Sequence, residues 1–82
     1  MIKILSILVQ DRIKESGRVQ KLLTEFGHII KTRLGTHEVS EDKCSRVGII
    51  ILQLTGNEDE WLMFESKLSE IGGIKFKSIV FN

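Results

Sequence analysis

The sequence predicts an α+β fold of ferredoxin-like βαββαβ order, a four-stranded antiparallel sheet with two helices on one face. Three observations predict it. Four stretches carry strand-like apolar patterning, two carry a helical apolar stripe, and their order allows a right-handed crossover in each strand–helix–strand half. At 82 residues there is room for one domain, residues 1–82, and a chain this short buries only about 60–65% of its unfolded surface.

The first strand is Ile2–Gln10, rich in isoleucine and leucine. In the stretch that follows, Val19, Leu22, Leu23 and Phe26 recur at i, i+3, i+4 and i+7, one face of a helix. Lys14, Glu15, Arg18, Lys21 and Glu25 are assigned to its other side. Gly27 then stands where a left-handed cap ends many helices. Residues His28–Leu34 alternate from Ile29 and read as the second strand. Residues 35–45 are polar apart from Val39 and read as a hairpin connection or a frayed extension of that strand. Arg46–Leu54 is the strongest strand signal in the chain. Thr55-Gly56-Asn57 is a turn, with Asn57 placed to cap the next helix. Glu58, Asp59 and Glu60 complement the positive end of that helix dipole. Trp61, Phe64, Leu68 and Ile71 form its inward stripe, which makes Trp61 a core anchor. Gly72-Gly73 stops the helix, and Ile74–Phe81 is the last strand. The first and third strands are central. Lys31, Arg33, Lys75 and Lys77 fall on edge strands, where charge guards against edge-to-edge pairing.

The central strands are apolar on both faces. Ile2, Ile4 and Leu8 oppose Leu5, Ile7 and Val9; Val47, Ile49 and Ile51 oppose Ile50, Leu52 and Leu54. Two helices cover one face only, and a sheet with one wet face should alternate apolar with polar. Fully burying each surplus side chain is worth about 1.5–3 kcal/mol. Half the sum for six of them rivals the ~5 kcal/mol that holds a small domain together. The expected partner is therefore another copy, in a homo-oligomer (dimer or tetramer) joined through the far face or an adjoining edge.

Composition narrows the function. Twelve basic and eleven acidic residues give a net charge of +1, and no basic run supplies a face for direct nucleic-acid binding. The apolar run Ile2–Val9 is too short to span a bilayer, so no membrane association is expected. The lone Cys44 and the lack of a signal peptide lead to an expectation of a reducing, cytoplasmic setting. No cofactor fingerprint appears, since Gly72-Gly73 precedes a strand and not a helix. Ser6, Ser16 and Ser78 have no histidine near in sequence. A Cys44–His37 thiolate pair would sit in a polar segment without an oxyanion donor, so no enzyme is expected.

The stretch Ile4–Ile30, with Asp11-Arg12, Val19, Leu22-Leu23, Phe26-Gly27 and Ile29-Ile30, resembles the opening of ACT domains, and the element order continues the likeness across the chain. The resemblance is more specific to a small stand-alone family of regulators of the iron-only hydrogenase system. It implies a non-catalytic regulatory module, sensing a small polar ligand or binding a partner protein, in hydrogenase, metabolic or transcriptional regulation. Carried over by position, the ligand-binding residues would be Asp11, Arg12 and Lys14. ACT domains that bind amino acids usually have glycine where this chain has Lys14; Gly17 falls three residues later.

The chain is also similar to the effector domain of nickel-responsive repressors. That likeness implies an alternative, a nickel or zinc sensor using His28, His37 and Cys44. The second histidine of the repressors' pair is here Val39, and the His37–Cys44 spacing differs by one, which reverses side-chain direction on a strand. With the first strand beginning at Ile2, no DNA-binding arm is expected before it.

Overall fold

The computed structural model describes residues 1–39 and 44–82, with backbone alone at 37–39 and 44–46. Its elements are β1 (Ile2–Val9), α1 (Arg12–Glu25), a 3-10 turn (Gly27–Ile29), β2 (Ile30–Val39), β3 (Cys44–Leu54), α2 (Glu58–Ser69) and β4 (Ile74–Phe81). The strands form one antiparallel sheet in the order β2-β3-β1-β4. The central and edge assignments read from the sequence are thus found in the structure.

Alternation in β1 and β3 sends Leu5, Ile7, Val9, Leu52 and Leu54 to the face under the helices. There they pack with Val19, Leu22, Leu23, Phe26, Trp61, Phe64 and Leu68 in one core. Trp61 anchors it: the ring is buried and its Nε1–H donates to the Thr55 carbonyl at 2.9 Å. Each helix begins on a side-chain cap. Asp11 accepts from the amides of Ile13 and Lys14, both at 3.2 Å, and Asn57 from the amide of Glu60 at 2.9 Å.

Three local expectations need correction. Gly27 is no left-handed cap: positive φ occurs, among the described residues, only at Gly56 and Gly73. The chain runs instead from α1 into the 3-10 turn, where the Ile29 amide donates to the Phe26 carbonyl at 3.0 Å. β2 begins later than expected, at Ile30, and the ladder between β2 and β3 continues past residue 35, through His37 opposite Gly48 and Val39 opposite Cys44. The polar residues there extend the strand, the second of the two readings given for them. The expected hairpin connection at residues 40–43 lies outside the described residues. Glu15 is not on the outer side of α1. It is buried, four residues before Val19 and hence on the same helical face.

The β2–β3 ladder is interrupted between Ile30 and Thr32: these oppose Leu54 and Gln53 in turn, leaving Lys31 as an extra residue. This is a β-bulge. Beyond it Arg33 opposes Leu52, and Gly35 opposes Ile50, so both lie on the helix side of the sheet, while Leu34 opposes Ile51 on the open side.

Candidate functional site: a hollow beneath the first helix

Asp11 and Arg12 stand where β1 turns into α1. The Asp11 carboxylate is the N-cap. Arg12 is half-buried, and its side chain lies along Gly48. Lys14 is exposed and is not among the residues lining the hollow that Arg12 lines.

That hollow, of about 210 Å3, opens between the first turns of α1 and the sheet beneath. Arg12, Ser16 and Gln20 descend one helical face at four-residue intervals and form its wall. Val9, Val19 and Ile50 make an apolar floor, and Gly35, Thr36 and Gly48 close the β2–β3 side. Two strand glycines leave it open. Each weakens a strand by roughly 0.5–1 kcal/mol relative to alanine. Arg33, on the helix side of β2, donates from Nη2 to Gln20 Oε1. The rim is thus cationic, and no carboxylate is among the described lining residues. Such a site suits a small, negatively charged group.

A smaller hollow, about 140 Å3, lies between α2 and β4 and is lined by Lys3, Glu58, Trp61, Leu62 and Val80. Lys3 is buried there. Its ammonium pairs with Glu65 and lies 5.8 Å from the centre of the Trp61 ring.

The three residues of the metal alternative do not meet within one chain. His28 is in the 3-10 turn before β2, with Nε2 2.5 Å from Glu60 Oε2 and its ring stacked on Phe26. His37 and Cys44 are at the other end of the sheet, about 23 Å along β2 at about 3.3 Å per residue. The side chains of His37 and Cys44 lie outside the described residues. Among the described residues, no group of three or more metal-ligating side chains is assembled, and no helix is long and apolar enough to cross a membrane.

The far face of the sheet is the second functional feature. Ile2, Leu34, Val47, Ile49, Ile51, Ile79 and Phe81 are all exposed there, Ile51 to 40% at its centre. Register sets the rest of that face: Ser6, Lys75 and Lys77 on one side, Thr32 and Gln53 on the other.

Fold and site together define a small ferredoxin-like α+β domain. The chain belongs to the TM1266-like family, whose proposed role is regulation of the iron-only hydrogenase system; the family model matches residues 1–78. It is similar to the uncharacterized protein TM1266 from Thermotoga maritima, with a TM-score of 0.84 and 32% identity over 99% of this chain and 96% of that one. A formyltetrahydrofolate deformylase from Pseudomonas putida shares the fold, with a TM-score of 0.62 and 10% identity over 99% of this chain but 29% of that one. No curated protein matches the sequence. The family's designation supports a regulatory role.

Proposed function

We propose that the chain is a non-catalytic regulatory module of the hydrogenase system that works as a homo-oligomer and senses a small ligand in the hollow beneath α1. One observation carries the assembly: the exposed apolar face of the sheet. Four strands about 4.8 Å apart and about 27 Å long give a footprint of about 500 Å2. Two facing copies would then bury on the order of 1,000 Å2, the scale at which specific association begins. The centre of the face is aliphatic and its margins carry lysine, threonine and glutamine, the anatomy of an interface with a polar rim. Among the described residues of that face the charged side chains, Lys75 and Lys77, are confined to the β4 margin, so its aliphatic centre offers a strongly charged partner little to pair with and suits the same apolar face of a second copy.

Sedimentation equilibrium tests this reading. The wild-type chain at micromolar concentration is expected as a dimer or tetramer, and Ile51→Lys, which places charge at the centre of the face, as a monomer. A monomeric wild type rejects the assembly.

A further inference from the structure

We infer that the hollow beneath α1 binds a small organic carboxylate with a short apolar tail. This rests on the sensing part of the proposed function and supplies the ligand class that part leaves open.

The backbone requires glycine at neither Gly35 nor Gly48. Neither has positive φ; Gly35 lies between the two irregularities of the β2–β3 ladder, while Gly48, opposite His37, borders the second. A Cβ at residue 35 would meet nothing within 4 Å; at residue 48 it would touch Arg12 and the Thr36 carbonyl at 3.6 Å, an ordinary contact. A strand glycine without a turn or bulge to serve, as Gly35 is, marks a place where another group approaches the backbone, and at Gly48 that group is the Arg12 side chain. The space the two glycines leave equals about seven waters at roughly 30 Å3 each. That is less than the ~300 Å3 at which drug-sized sites begin, so the occupant has only a few carbons.

Chemistry selects the class. Arg12 lines the hollow, and Gln20 holds Arg33 at its rim. A guanidinium offers five N–H donors in a planar fork, so Arg12 can take a carboxylate beside any acceptor the protein supplies. The Ser16 hydroxyl adds a donor. Val9, Val19 and Ile50 offer an apolar bed that inorganic phosphate would leave unused, and a neutral molecule would draw no charge attraction from the arginines. A carboxylate with a branched or straight tail of three or four carbons uses both halves.

The test is a titration of the 15N-labelled full chain, followed by amide shifts, with 3-methylbutyrate, butanol and inorganic phosphate at matched ionic strength. Saturable shifts at Gly35, Thr36, Gly48 and Ile49 are expected with 3-methylbutyrate and absent with butanol and phosphate. Gly35→Val fills open space with a strand-favouring side chain. It should keep the circular dichroism of the wild type, with a thermal midpoint no lower, while weakening binding about tenfold or more; Arg12→Gln should also fold and weaken binding about tenfold, the scale of one lost charge-assisted contact. No saturable carboxylate shift, equal shifts with butanol, phosphate binding in place of carboxylate, or unimpaired binding in folded Gly35→Val would each overturn the inference. Sedimentation of the same samples separates the two claims: an assembled chain that ignores carboxylates rejects the ligand class alone, and a monomer that binds them rejects the assembly alone.

Discussion

Glu15 lies directly over Gly73. A Cβ built at Gly73 would come within 3.3 Å of Glu15 Cγ, and Gly73 itself holds φ +79°. The bare backbone of the turn before β4 is what admits a glutamate into the interior beside Val19. Two effects therefore oppose any side chain at residue 73, contact and conformation. Gly73→Ala should destabilise the chain by about 1–3 kcal/mol, read from the urea midpoint. Glu15→Ala in the same background should return the contact part and leave the conformational part. Full recovery, or none, would contradict this division.

The cap at Asp11 predicts a separate outcome. Its carboxylate serves two amides of the first turn of α1, so Asp11→Ala should cost about 0.5–2 kcal/mol and Asp11→Asn much less. If Asp11 acts only as a cap, the alanine variant lowers stability and leaves any ligand affinity intact once the protein is folded. Loss of affinity in the stable asparagine variant would place Asp11 in the binding chemistry instead.

Lys3 and Glu65 make a largely buried ion pair beside Trp61. Removing one partner strands the other charge, so Lys3→Met should destabilise by about 1–3 kcal/mol. Lys3→Met with Glu65→Leu should recover most of that loss, because an apolar pair of similar volume carries no desolvation penalty. Equilibrium unfolding of the four proteins in a double-mutant cycle checks the coupling. A double variant as weak as Lys3→Met alone would rule it out.

Lys67 joins α2 to α1 through Glu25 at 2.8 Å. That hydrogen bond, with the charge of Glu25, raises the Lys67 pKa from its ordinary 10.5. A raised folded-state value means the contribution is fully present below 10.5 and is lost as pH climbs through the folded value. The pair is exposed, so the effect is small and screened by salt. Wild type and Lys67→Gln should differ in urea midpoint near neutrality and converge at alkaline pH; a gap that widens there would reverse the sign.

Much of the fold was legible because its strongest signals are local. The element order with right-handed crossovers marked β1 and β3 as central strands, and the Val19-to-Phe26 stripe marked the buried side of α1. The misses depend on distant partners. Glu15 read as an outward charge because Gly73, far along the chain, makes its room. Lys3 shares the parity of Leu5, Ile7 and Val9, a signal of its inward position, but its pairing needs Glu65 on α2. In the site, Asp11-Arg12 pointed to the right turn of chain. Ser16 and Gln20 follow Arg12 at helical spacing and could have been added to it. Gly35 and Gly48 could not, since their facing α1 depends on strand register.

That register hangs on Lys31. Without the extra residue, the pairing begun at Ile30 opposite Leu54 would continue in step, and every later side chain of β2 would change sides. Leu34 would then plug the chamber under α1, and Gly35 would leave a dent in the outer surface where a neighbouring copy is proposed to rest. A single inserted lysine thus decides together whether the molecule has a vacant room and whether its outer wall is smooth, so gain or loss of one residue at this point would abolish both properties in one step.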